Sequence, residues 1–355
     1  MAAAKKYVAY VGTYTHSNSV GIHVYDVDTK KGALTERSVA PINNPSFLTT
    51  SHNGKYLYSI ADEGVAAFSI DENGDLTKIN QQWIGGMRGD YVEVDSKNRF
   101  LFVGGYHDGR VTMMKLNSDG SIGDISCGIF QSGLPISASE KRLDHPKVTC
   151  VKLTPDEKYL LAADLGLHMV KVYKIDYELG KLELEDIIRC SMDSGPRALH
   201  FSKDGKFLYV LTELANAIEI YKYSGENNQT LFELVKIVPT LKKDFPAAGS
   251  TSFDFTADDK YCLVTVDALN TVTVFARNAE DGTLSYEFET MVSGDYPKSI
   301  GVLPGNEFYA VLNHDTNEIR TFKVFPEKKC ALMENKPVKV STPNCIDIVS
   351  LGGEG

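Results

Sequence analysis

Arg197 and Glu213 stand sixteen residues apart, at the two ends of one repeated stretch. Matched places elsewhere in the chain carry Lys298 and His314, and Asp90 and Tyr106. Stacking the repeats on an aromatic anchor yields two sets of positions. Six residues beyond the anchor stand Thr13, Asp62, Tyr106, Leu165, Glu213, Asp267 and His314. Just after a recurrent proline position stand Ser46, Asp90, Arg197, Thr251, Lys298 and Asn344, with Lys147 or Thr149 in the fourth repeat. If the second set opens one strand and the first ends its antiparallel neighbour, the two sets adjoin. Repetition alone would fill them with similar residues. Instead they hold cations, carboxylates, a histidine and a tyrosine, which together suit an anionic small molecule and leave a carboxylate or histidine to move a proton. The structural alternative is that Arg197 pairs with Glu213, and Lys298 with Asp267, only to tie neighbouring loops, a role of little energetic weight when exposed.

Other chemical signals are more local. His107, in Tyr106-His107-Asp108-Gly109, is either a catalytic base or a loop hydrogen-bonding residue. His23 and His200 alternate with strand residues and read as structural. Gly85-Gly86-Met87-Arg88-Gly89 lacks the strand-loop-helix setting and the lysine of a phosphate loop, so it reads as a turn. No Gly-x-Ser-x-Gly elbow is present, which disfavours hydrolase chemistry of that serine type. The histidines show no ligand spacing, and no metal or organic cofactor is expected.

The elements that must position these residues follow from seven copies of one phrase, an apolar strand beginning at an aromatic beside a charged turn. The anchors are Tyr7, Tyr56, Phe100, Tyr159, Phe207, Tyr261 and Phe308. Their spacing, about 44 to 59 residues, is that of a four-stranded propeller blade. Stretches such as Ala217-Ile218-Glu219-Ile220-Tyr221 are rich in aromatic and β-branched residues. Turns at Gly74, Gly120, Gly205 and Gly282 supply the positive φ of tight hairpins. The first unit begins at its second strand. Residues 342–349 have the form of the missing inner strand, as comparison with Asn44-Pro45-Ser46 and Tyr296-Pro297-Lys298 shows. The expected fold is all-β: a seven-bladed propeller of four-stranded antiparallel blades, closed by the C-terminal strand joining the first blade. The fourth unit has two extra residues between Pro146 and Tyr159, compared with Pro196 to Phe207, so it needs a bulge or a shifted strand start.

The repeat occupies nearly all of the chain, so residues 1–355 are expected to form a single propeller domain. A net charge of −10 without a Lys/Arg cluster argues against nucleic acid. No signal h-region precedes the first strand and no apolar run approaches the roughly 18 residues of a membrane span. A cytoplasmic location without membrane attachment is the expectation, and the partner read from the two sets of positions is a small anionic molecule. The sequence carries no signal for oligomeric state. Six dispersed cysteines without Cys-x-x-Cys read as buried reduced thiols.

Tyr10-Val11-Gly12-Thr13-Tyr14-Thr15, Asn44-Pro45-Ser46-Phe47-Leu48, Tyr106-His107-Asp108-Gly109, Gly195-Pro196-Arg197 and Glu213-Leu214-Ala215-Asn216 together resemble the seven-bladed propeller lactonases. That family contains the propeller type of 6-phosphogluconolactonase and the fungal 3-carboxy-cis,cis-muconate lactonizing enzyme. The resemblance implies lactone chemistry on an anionic substrate, a small lactone or carboxylic acid. It carries Arg197 and Glu213 over directly. Where many relatives read His-Pro-His this chain has His145-Pro146-Lys147, and Val266-Asp267-Ala268 replaces an Asn-Arg-Gly. Lys298 stands where relatives often have arginine, losing a two-pronged grip on carboxylate or phosphate. The resulting expectation is a lactonase acting on a sugar-derived or other acidic lactone. In it Arg197 and Lys298 hold the anion or the developing oxyanion, Glu213 is the acid/base, and His145, Lys147 and His107 are candidates for activating water. Asp267, Tyr106, Asp62 and His314 join Lys298 as substrate-binding candidates, and Asp267 in place of a cation predicts a preference for monoanionic or neutral lactones. A lactonizing cycloisomerase, or a propeller that only binds a metabolite or protein, are the alternatives.

Overall fold

The computed structural model describes residues 5–62, 64–133, 144–225 and 230–351. Twenty-eight strands, numbered here in chain order, form seven four-stranded antiparallel sheets. The first blade is β1 (Lys6–Thr13), β2 (Gly21–Asp28) and β3 (Ala33–Pro41) with β28 (Pro343–Leu351) as its innermost strand. β28 pairs with β1 along its whole length, from Lys6 opposite Leu351 to Thr13 opposite Pro343. Ring closure is therefore as expected from residues 342–349, and the inner edge of β1 is covered. The other blades start with β4 (Leu48–Thr50), β8 (Tyr91–Val94), β12 (Val148–Leu153), β16 (Pro196–Phe201), β20 (Ser250–Phe255) and β24 (Pro297–Val302), each followed by three strands in sequence order. Among the described residues no helix is long and apolar enough to cross a membrane.

The second strands explain why the repeat is so apolar. Those of blades three, four, five and seven, such as Phe207–Thr212, are buried along their whole length because both faces meet neighbouring sheets. The core is accordingly divided into seven clusters, one per interface between adjacent blades. Each large side chain buried there contributes about 1.5–3 kcal/mol before chain entropy is counted. Anchor-strand tyrosines also reach across: Tyr10, Tyr58 and Tyr209 donate to the carbonyls of Gly74, Gly120 and Gly282 in the next blade's outer hairpin, at 2.8, 3.2 and 2.8 Å. Those glycines adopt the positive φ that the turns require. All six cysteines are unpaired, Cys150, Cys262 and Cys345 buried and the other three partly so.

One backbone irregularity recurs at the start of the inner strand. In blades one, four, five, six and seven the register slips by one residue there, leaving Asn344, Thr149, Arg197, Thr251 and Lys298 as the extra residue of a bulge. This settles the fourth blade. Val148 faces Asp164 as Pro196 faces Thr212, so the strand start is shifted by two and Thr149, not Lys147, is the counterpart of Arg197. Both readings of the extra residues thus contribute: the strand is shifted, and its bulge is the one its neighbours share.

Candidate active site

The bulges turn side chains toward the channel at one end of the ring. A cavity of about 680 Å³ runs from there along the inner strands, lined at this end by Tyr14, Arg88, Asp90, Tyr106, His107, Arg197, Glu213, Tyr296 and Lys298. Three short side chains and one guanidinium nitrogen at the bulge level are bonded to neighbouring backbone. Thr149 donates to Pro196 O at 3.0 Å, Thr251 to Pro297 O at 2.5 Å, Asn344 to Ser46 O at 2.6 Å, and Arg197 Nε to Thr251 O at 2.6 Å. Each bond reaches the next blade, so the same residues brace the mouth and define its outline.

Arg197 and Glu213 meet as their spacing suggested. The guanidinium Nη1 donates to Glu213 Oε2, with Glu213 almost completely buried at the end of its strand. Burial works against Arg197's charge, but Glu213, Tyr296 and Asp90 together more than offset it, so the guanidinium is held as a permanent cation above its ordinary range. Lys298 sits differently. Its ammonium makes no hydrogen bond or ion pair among the described residues and lies over the rings of Tyr14 and Tyr296, 5.2 and 5.6 Å from their centroids. The suggested Lys298–Asp267 pair does not form. Removal from water and the nearby Arg197 charge push Lys298 down to about 8. Asp90 is the carboxylate at the same level; burial raises its pKa, against the pull of Arg197, Lys298, Arg88 and His107.

Two residues before the bulge lies a further tier: Asn44, Arg88, Lys147, Gly195, Gly249, Tyr296 and Thr342. Asn44, Gly195, Tyr296 and Thr342 there have φ of 46°, 61°, 53° and 44°. Tyrosine and β-branched threonine in this left-handed region carry backbone strain, and Tyr296 brings it to the cavity lining. Arg88 Nη2 donates to Asn44 O at 2.7 Å, and its guanidinium lies 5.2 Å from the Tyr14 ring. Arg88, Tyr14 and Tyr296 are the lining residues that sequence reasoning passed over. The available signal was register: Arg88 precedes Asp90 by two, as Tyr296 precedes Lys298, and Tyr14 follows Thr13.

Of the predicted residues, Arg197, Glu213, Lys298, Tyr106 and His107 are brought together on the cavity. His107 is exposed and stands edge-on to Tyr106 at 5.5 Å. His145, Lys147, Asp62, Asp267 and His314 do not line it. Lys147 is buried outside the bulge level, its Nζ 2.7 Å from Asp144 and 2.9 Å from His145 Nδ1. His145 in turn contacts Asp144 at 2.5 Å. Asp62 accepts from Asn44 Nδ2 at 2.7 Å and lies 3.7 Å from Arg88 Nε. Asp267 accepts the Gly249 N–H at 2.5 Å, which turns its carboxylate toward backbone. His314 lies behind the rings of Tyr14 and Tyr296, edge-on to both at 5.8 and 5.6 Å, and burial followed by the Lys298 charge lowers its pKa. His23 bonds Ser19 and Glu36, and His200 stacks on Phe255 at 4.4 Å, as structural residues do. Arg88 lies in a turn between strands, with no helix following it. Among the described residues no three His, Cys, Asp or Glu side chains are grouped so as to hold a metal.

A closed seven-bladed ring with a cationic, tyrosine-rimmed mouth defines the class. The model of the lactonase, 7-bladed β-propeller family matches residues 8–348, and the chain belongs to that family. It is 29% identical over 348 residues to 6-phosphogluconolactonase of Bacillus subtilis strain 168, covering 96% of this chain and 98% of that protein. It is also 29% identical to 6-phosphogluconolactonase of Formosa agariphila, over 88% of this chain and 91% of that one. Among solved structures, the periplasmic gluconolactonase PpgL of Pseudomonas aeruginosa superposes with a TM-score of 0.90 at 26% identity, covering 98% of this chain and 99% of the other.

Proposed function

We propose that the protein hydrolyses an acidic, sugar-derived lactone, with 6-phosphogluconolactone the first substrate to test, and that it does so without a metal. The observation that carries this reading is the presence of two unlike cations on one cavity: Arg197, fixed by Glu213, and Lys298, which makes no hydrogen bond or ion pair among the described residues. Opening a lactone builds negative charge twice, first on the carbonyl oxygen and then on the departing ring oxygen. Arg197 suits the first, because a guanidinium already oriented by Glu213 and Thr251 needs no reorganisation as charge develops. Lys298 suits the second, since an ammonium with a pKa of about 8 is charged at neutral pH and close to giving its proton up. Arg88, on the rim, would meet the distal anionic substituent. Glu213 then acts by orienting Arg197 rather than by moving a proton itself. With Asp267 turned to backbone and Arg88 added to the lining, the cavity favours a phosphorylated lactone over a neutral one, the reverse of the preference read from Asp267 alone.

The deciding experiment is a screen of the purified protein against 6-phosphogluconolactone, gluconolactone and muconolactones, with spontaneous hydrolysis subtracted. Turnover is expected with the first two, with the higher kcat/KM for the phosphate ester. Action on muconolactones alone would shift the reading to a lactonizing enzyme, and no turnover of any lactone would leave a binding propeller.

A further inference from the structure

Hydrolysis needs a group that takes a proton from water, and neither histidine offered for activating water is well placed for it, while His200, farther along the channel, is stacked on Phe255. His145 is tied to Asp144 outside the cavity, and His107 is exposed at its solvent side. Glu213 has an oxygen committed to Arg197. The bulge level offers another candidate. In blade order its residues are Asn344, Ser46, Asp90, Thr149, Arg197, Thr251 and Lys298, one from each of the seven blades. The charged members are therefore two, two and three blades apart, a triangle around the channel. Thr149, Thr251 and Asn344 are folded back onto backbone carbonyls and Arg197 is held by Thr251 O and Glu213, while Asp90 and Lys298 make no side-chain hydrogen bond among the described residues. Arg197 and Lys298 form one side of this triangle and Asp90 is its opposite corner. A lactone held by the two cations is thereby presented to a carboxylate from across the channel.

We propose that Asp90 is the catalytic base that activates the hydrolytic water, an inference that rests on the lactonase reading above. Its carboxylate takes no hydrogen bond or ion pair among the described residues, leaving its oxygens for a water in the cavity. Burial raises its pKa, and Arg197, Lys298, Arg88 and His107 pull the other way. A carboxylate so balanced is a better proton acceptor than one locked in an ion pair. In the reaction the water oxygen bonds to the lactone carbonyl carbon while one water proton passes to Asp90, and the carbonyl π pair moves to the oxygen beside Arg197. The adduct then re-forms the carbonyl and breaks the bond to the ring oxygen. That oxygen leaves with the bonding pair and takes a proton from Lys298. Asp90 returns its proton to Lys298 through solvent, so water is the only reactant consumed besides the lactone.

The alternative is that Asp90 merely balances three cations. The two roles predict opposite behaviour toward an inert anion, so Asp90→Asn and Asp90→Glu are to be compared with wild type in two assays. The first is turnover of 6-phosphogluconolactone and gluconolactone; the second is calorimetric binding of 6-phosphogluconate, the hydrolysis product. A base predicts that Asp90→Asn lowers kcat by about 10²–10⁴ while product affinity is kept or rises by up to roughly tenfold, because a negative charge facing the anion is gone. Asp90→Glu should recover part of the lost kcat. An Asp90→Asn protein that keeps more than about a tenth of wild-type kcat, or one that loses product binding along with turnover, overturns the assignment and leaves Asp90 structural. Wild-type protein that binds the product but turns over no lactone removes the lactonase reading and the base with it, an outcome separable from failure of Asp90 alone.

Discussion

Blades five and seven place a cation at the same backbone position and treat it in opposite ways. In blade five, Arg197 projects from its bulge toward Glu213, which ends the adjoining strand. In blade seven, Lys298 projects from an equivalent bulge, but the residue in Glu213's place is His314, and two tyrosine rings occupy the space where an acid would sit. One cation is permanent and held; the other is titratable and unheld. Identical backbone geometry thus yields two electrostatic characters, and the difference comes from one side chain on the neighbouring strand. The repeat supplies positions, while the departures from the repeat supply chemistry.

The largest test of this contrast removes the ring on which both mouths depend. Truncation after residue 340 deletes β28, exposes the inner edge of β1 and unseats Tyr14, which packs on Lys298. Aggregation or a fall in melting temperature of roughly 10 °C or more is expected by scanning calorimetry. A truncated protein that melts like the full chain would remove the closure argument. Next in size is Arg197→Ala, which takes from the buried Glu213 the guanidinium that faces it. A destabilisation of about 3 kcal/mol in denaturant titration is expected, with kcat/KM lowered by about 10²–10³. Glu213→Gln should do less: KM rises and kcat falls by roughly tenfold as Arg197 loses its orientation. A kcat loss of about 10³ at unchanged KM would instead restore Glu213 as the acid/base.

The sharper tests concern Lys298. With its pKa at about 8, it is charged at neutral pH and becomes neutral as pH rises, so kcat/KM should fall on the alkaline side with a midpoint near that value. His314→Glu would give blade seven the acid that blade five has. It should raise the Lys298 pKa and move the alkaline limb up by roughly one pH unit or more. A limb that stays in place would show that His314 and Glu213 are not equivalent in what they reach. The smallest effect is expected from Asp267→Asn, whose carboxylate serves the Gly249 N–H. It should change the ratio of kcat/KM for phosphorylated and neutral lactones by less than about threefold, and a larger change would return Asp267 to the site.

Much of this was legible in the chain because a propeller repeats its hydrogen-bond register. The anchors Tyr7 to Phe308 located the second strands, residues 342–349 declared themselves an inner strand, and the offset of six from each anchor placed Glu213 beside Arg197. Where the phrase is eroded the sequence leaves Lys147 and Thr149 both open, and the sheet selects Thr149, because Val148 takes the proline's place. A proline marks a strand start only when the hydrogen-bond register agrees with it.

The sequence by itself determined the blades, their closure and the ring of positions around the channel, because these depend on apolar pattern and turn chemistry repeated along one dimension. Only the tertiary structure decided which ring residues act. Asp267 turns to a backbone N–H, Lys298 settles between Tyr14 from blade one and Tyr296 from its own, and Arg88 joins the lining from a turn. Lys298 points from a bulge, Arg88 from the turn before Asp90 and Asp267 from the end of its strand, and each is settled by what a neighbouring segment places against it. Those are contacts between segments far apart in the chain, and no periodicity within one segment encodes them.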